Sequence, residues 1–253
     1  MPLFIQAGLW GLLGGSALIL GALVAYTLSL PQRLIAAVMA IGSGVLISAV
    51  AFELMDEAYR QGGFDSSATG FIGGAVIYTI ANVVISRRGA RHRKRSGSNP
   101  GESQQNSSEG SGLAIAVGAL LDGIPESVVI GASLLGGNSV SLVTVAAVFL
   151  SNVPEGLSSA AGMRKAGRSA TYIFAIWGGI AVASGLAALV GNLALAGADP
   201  DTLALTNAVA AGAILAMIVD TMIPEAFEDT HEYAGLITVL GFLAAFALSK
   251  LGG

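Results

Sequence analysis

The sequence predicts an all-α membrane protein with eight transmembrane helices arranged 3+2+3, the two triplets forming an inverted repeat. Composition, the spacing of apolar segments and the placement of basic residues predict it together. Hydrophobic residues fill 54% of 253 positions, charged residues 11%, and mean hydropathy is +0.75. A soluble domain carries roughly 25% charged residues to cover its surface, so no soluble fold can bury this much apolar chain. The 35 glycines suit helices that approach closely within a bilayer. There is no cysteine, which excludes a disulfide scaffold and a thiolate metal site. The net charge of −4 averages a basic linker with scattered membrane carboxylates and decides little.

A spanning helix needs about 20 mostly apolar residues, and eight segments qualify. Residues 5–29 lack a basic n-region and run too long for a signal-peptide core, so they read as a retained first helix. Residues 33–56 form the second and end among Glu53, Asp56 and Glu57; residues 69–86 form the third. Residues 112–136 and 139–163 follow, each with an internal Pro-Glu pair. Residues 169–195 carry no acidic residue, 202–227 end in an acidic run, and 233–250 close the chain. The second, fourth, fifth and seventh contain carboxylates that a hydropathy window penalises.

Basic residues set the orientation. Arg33, the cluster Arg87 to Arg95, and Arg164, Lys165 and Arg168 all fall in odd-numbered connections. Even-numbered connections carry Arg60 alone. The positive-inside rule makes the basic side cytoplasmic and places both termini outside. Residues 87–111 (RRGARHRKRSGSNPGESQQNSSEGS) open basic and continue in Ser, Gly, Asn and Gln, a composition that forms no packed core. They read as a flexible cytoplasmic loop within a single domain of residues 1–253. The loop is either a plain topology determinant or a lipid-headgroup or regulatory patch. His92, among basic neighbours, is a poor metal ligand.

Two repeats are visible. Leu121-Asp-Gly-Ile-Pro-Glu-Ser127 returns as Leu150-Ser-Asn-Val-Pro-Glu-Gly156, and Gly44 to Tyr59 returns as Gly212 to Phe227, which pairs Glu57 with Glu225. The second repeat joins helices two and seven, which run oppositely, as in an inverted-topology repeat.

A carboxylate at mid-membrane costs about 2.5–3.5 kcal/mol even on the lenient insertion scale, and is functional by default. Glu126 and Glu155 fall near the middle of helices four and five, with no Lys, Arg or His beside them. Either they are protonated or a cation sits between them. Asp122 and Glu126 are four apart and share a helix face, as do Ser151 and Glu155. Pro125 and Pro154 cannot donate to the carbonyls of Leu121 and Leu150, freeing those oxygens at the same level. Facing one another, the two helices would offer Asp122, Glu126, Ser151, Asn152 and Glu155 as an oxygen cage suited to a divalent ion. Proline kinks with protonated glutamates are the plainer alternative.

Glu53, Asp56 and Glu57 near the outer face, and Asp220, Glu225, Glu228 and His231 near the inner one, are either solvated helix ends or groups that collect and release ions. Asp220 lies a turn inside its helix, where Pro224 frees its carbonyl. Trp177 reads as packing or an interface anchor.

Paired His-Asn-x-Pro-Glu-Gly motifs on adjacent helices characterise the ZIP family of divalent metal transporters, which this chain resembles. Asn152-Val-Pro-Glu-Gly156 keeps all of that motif but its His, and Asp122-Gly-Ile-Pro-Glu126 keeps the Pro-Glu. The resemblance implies eight helices, outside termini, a midplane metal site of Asp122, Glu126, Ser151, Asn152 and Glu155, and a homodimer in a bacterial plasma (inner) membrane. Both motif histidines are replaced, by Asp122 and Ser151, and Gly123 and Ser127 stand where the first motif has Asn and Gly. Many members carry a sixth-helix glutamate beside a second metal; Ser184 or Gly185 falls about there.

The expected function is transport of zinc, iron or manganese towards the cytoplasm, with the ion as substrate and no cofactor. The partners are the ion and the lipid bilayer, not nucleic acid. A transport-inactive metal sensor and an intramembrane metal-dependent hydrolase are the alternatives. The hydrolase would want His ligands or a HExxH motif, and no segment supplies them.

Overall fold

The computed structural model describes residues 1–90, 111–135 and 140–251, and every regular element among them is helical. The helices are α1 (Leu3–Thr27), α2 (Gln32–Ala49), α3 (Asp56–Ile85), α4 (Ser111–Ser133), α5 (Leu142–Lys165), α6 (Ala170–Leu195), α7 (Pro200–Met217), α8 (Ile223–Thr230) and α9 (Ala234–Leu251). A π-helical segment, Val50–Met55, joins α2 to α3, and a second, Ile218–Met222, joins α7 to α8. Six helical stretches are long and apolar enough to cross a membrane: Leu3–Thr27, Gln32–Arg88, Ala116–Ser133, Leu142–Lys165, Ala170–Leu195 and Pro200–Lys250. The chain is an integral membrane protein of the all-α class. Its outer surface agrees, since Leu12, Leu20, Ile77, Leu186 and Leu243 are all exposed side chains that lipid, not water, would solvate.

Residues 57–68, expected as a connection, are helical instead. Their polar side chains pair one turn apart, Arg60 with Asp56 and Gln61 with Glu57, which supports helix where hydropathy shows a gap. The run breaks only at Gly63, where φ is 68° and ψ −166°. The stretch from Pro200 breaks in the same manner at His231, with φ 44° and ψ −118°.

That likeness extends through both stretches. The offset that carries Gly44 onto Gly212 also carries both ends of α2 onto those of α7, Val50 onto Ile218 at the start of the π segments, and Gly63 onto His231. Helix crossings repeat too. A Cβ on Gly44 would lie 1.9 Å from the Thr238 carbonyl oxygen, and one on Gly212 would lie 1.9 Å from that of Phe71. In return, Gly241 faces the Ile41 oxygen and Gly74 the Val209 oxygen, each a short step before its partner glycine. The α2–α9 and α7–α3 crossings are thus built from one pattern of backbone contact, available only to glycine.

The helices fall into two groups. α1 packs on α5 and α6, and α4 on α6; α3 packs on α7, and α2 on α8 and α9. One core gathers Met39, Leu46, Ile214, Met217 and Met222 in the second group, while Leu18, Leu157, Ile173 and Trp177 make the core of the first. Trp177 is therefore a packing residue. The groups meet where α2 touches α5 and α4 touches α7.

Candidate functional site

Pro125 and Pro154 lie inside α4 and α5, one residue before Glu126 and Glu155. Asp122, Glu126, Ser151, Asn152 and Glu155 are all buried, none more than 5% exposed. Helical spacing aligns Ser133, Val129, Glu126 and Asp122 along one face of α4, and Thr144, Val148, Ser151, Glu155 and Ser158 along one face of α5. Gly156 of the second motif serves packing, because a Cβ there would lie 2.1 Å from the Leu18 carbonyl oxygen of α1.

The buried groups have defined partners. Tyr78 Oη, on α3, donates to Asp122 Oδ1 at 2.8 Å. Asn152 Nδ2 donates to the Gly14 carbonyl at 3.0 Å, so its amide nitrogen is held against α1. Ser151 Oγ donates to the Val148 carbonyl at 2.9 Å. Among the described residues, no three His, Asp or Glu side chains come close enough together to hold a metal ion. α4 and α5 touch each other sparsely, α5 lying on α1 and α2 and α4 on α6 and α7. Four of the five predicted residues therefore lie on two separate stripes, and Asn152 is turned to α1.

A cavity of about 640 Å³ opens at the end of the molecule where α4 finishes and α5 begins. Glu53, Asp56 and Glu57 line it with Ser133, Ser141 and Asn207, and Ser141 Oγ donates to Glu53 Oε2 at 3.5 Å. Ser249 Oγ donates to Glu53 Oε1 at 2.6 Å, Gln61 Nε2 to Glu57 Oε1 at 2.6 Å, and Arg60 pairs with Asp56. Lys250 also borders the cavity, its Nζ 5.7 Å from the ring centres of Phe52 and Phe246. A smaller void of about 10 Å³, room for roughly one water, lies between Glu53 and Glu126, bordered by Thr144, Val148 and Ile214. Glu53 thus borders both the acidic mouth and the void beside Glu126.

At the opposite end the predicted residues separate. Glu225 is buried and accepts a hydrogen bond from Ser158 Oγ at 2.8 Å. Asp220 is exposed and accepts from Asn82 Nδ2 of α3 at 3.1 Å, on a different face from Glu225 five residues on. Glu228 is half-buried, and His231 is exposed with its ring edge-on to Phe227. His92 and the rest of 91–110 lie outside the described residues.

Sequence alone does not single out Tyr78, Ser141, Ser158 or Ser249. A serine three residues after Glu155 on the same face is the one available signal; the other three are brought in by tertiary contact. Gly123 and Ser184 are neighbours, as a Cβ on Gly123 would meet Ser184 Oγ at 3.7 Å. Buried carboxylates, hydroxyls and an amide are ligands for hard or borderline dications rather than soft ones. Compared with known proteins, the chain matches no protein-family model and shows no significant similarity to a curated protein.

Proposed function

We propose that this chain transports divalent metal cations of the zinc, iron and manganese class, in the manner of the ZIP family. The observation that carries the proposal is that Glu53 lines the acidic mouth and also borders, with the mid-helix carboxylate Glu126, one small void. A buried carboxylate needs a compensating cation or proton, and the mouth would concentrate cations beside it. In this reading Gly63 and His231 divide the two longest stretches, so that six apolar stretches make eight crossings in a 3+2+3 order. The correspondence of α2 with α7 is then an inverted repeat, since the second and seventh crossings run oppositely. By the positive-inside rule, Arg164, Lys165 and Arg168 mark the cytoplasmic end, the cavity opens outwards, and both termini lie outside a bacterial inner membrane. The protein works as a homodimer and without enzymatic chemistry.

Metal flux into proteoliposomes tests the proposal. Uptake of zinc, manganese or iron(II) by the wild type and its loss in Glu126→Ala are expected. Metal binding without flux would make the protein a sensor and overturn the transport reading.

A further inference from the structure

The α4 and α5 stripes end alike on the side away from the cavity. One turn beyond Glu126, Asp122 accepts from Tyr78 of α3; one turn beyond Glu155, Ser158 donates to Glu225 of α8. Each bond is buried, links two side chains, and joins one helix group to the other. Two further buried side-chain contacts, Asn152 to Gly14 and Asn192 to Gly131, stay within the first group.

We infer that these two hydrogen bonds form a gate, with Tyr78 and Ser158 as its donors, closing the passage at the end that carries Arg164 and Lys165. The inference rests on the transport reading for its purpose but not for its geometry. At the cavity end the same interface surrounds about 640 Å³ and is crossed by the long, part-buried Ser141–Glu53 contact at 3.5 Å, and Glu57, the repeat counterpart of Glu225, is only half-buried. So the repeat units are alike in backbone and unlike in closure: one acidic helix end lines an open cavity, the other is sealed against α5. Each bond occupies a carboxylate that a dication could also use. An ion arriving beside Glu126 competes with Tyr78 for Asp122, so arrival of the cation weakens one of the two closures. Tyr78 and Ser158 are positioning residues here, since neither needs to touch the ion.

The absence of cysteine provides a direct test. Ser151→Cys, a near-isosteric change on the α5 face between cavity and gate, is treated with a membrane-impermeant thiol reagent in vesicles of either orientation. Exposed Lys165→Cys identifies which face is accessible. Adding Tyr78→Phe and Ser158→Ala should speed labelling of the S151C thiol from the Lys165 face at least tenfold. Ser158→Thr, which keeps the hydroxyl, should preserve protection. Each single variant is run beside the pair, and Tyr78→Phe keeps the ring, so a pair that fails to assemble leaves two readings. Labelling unchanged in these variants, or Thr behaving as Ala, overturns the gate. Labelling needs no metal: absent flux with the expected labelling removes the transport reading and leaves the gate, and normal flux with unchanged labelling does the reverse.

Discussion

Gly63 and His231, 168 positions apart like the other matched residues, break the two longest helical stretches with positive-φ backbone, at 68° and 44°. Glycine adopts such a conformation freely; a side chain there costs about 1–3 kcal/mol. His231→Gly should therefore raise the thermal midpoint in detergent, and His231→Val lower it. Uptake should persist in the glycine variant, because the imidazole is exposed and its ring contact is Phe227. Uptake lost on His231→Gly would instead make it a ligand on the ion path.

The paired crossings predict paired sensitivity. Gly44→Ala and Gly212→Ala each push a methyl against a carbonyl oxygen that would lie at 1.9 Å. Each should destabilise by about 1–3 kcal/mol, the usual cost of overpacking. Gly73→Ala is the control, as nothing lies within 4 Å of its Cβ position. Equal midpoints for all three would dismiss the close contacts.

The two matching stretches differ at one cap. Pro31 precedes α2 without a side-chain cap, whereas its counterpart Asp199 accepts from the Thr202 N–H and Oγ1, both at 2.9 Å. These bonds hold the exposed Asp199 carboxyl below its ordinary value of 3.8. A lowered folded-state pKa contributes stability that is fully present above the unfolded value and is lost as pH falls through the folded one. Asp199→Asn keeps the acceptor and should flatten the acid side of the stability profile while leaving neutral pH little changed. A steeper acid loss in the variant would contradict the cap.

How far the site is legible in the sequence depends on what each residue needs around it. Glu126 and Glu155 stand out because a carboxylate amid apolar helix is expensive wherever it points, and the prolines fix its local geometry. Asp122 is legible for its spacing, but Tyr78 is not, because a tyrosine in an apolar helix is common and its partner lies 44 residues away. Ser158 and Glu225 are 67 apart and pair only through tertiary packing. Proximity in sequence groups Asp220 with Glu225, but five residues at 3.6 per turn put them on different faces. Helix boundaries near 57–68 escape because hydropathy is blind to the Asp56–Arg60 and Glu57–Gln61 pairs.

Glu126→Ala and Glu155→Ala should each reduce metal uptake to background while the proteins elute and melt as the wild type. Both carboxylates are buried inside their helices, and neither change touches the prolines that precede them. Uptake by the double variant at the wild-type rate would dispose of the midplane site.

One dominant metal position is expected rather than two, with little preference for zinc over manganese or iron(II). A second position would stand where Gly123 and Ser184 face each other, and neither offers a carboxylate or imidazole. In the proposed site Glu126 and Glu155 would balance one dication, and Asp122, bound to Tyr78, would add a third carboxylate on the first side. Two dications against three carboxylates would leave net positive charge in a low-dielectric interior, which is unfavourable. Imidazole favours zinc in mixed sites, and no histidine stands in α4 or α5, so oxygen ligation should flatten the discrimination. Metal content of the purified protein at saturation, with competition assays, measures both claims. A stoichiometry of two midplane ions, or a hundred-fold preference for zinc, would mean that Gly123 and Ser184 do not close the second position.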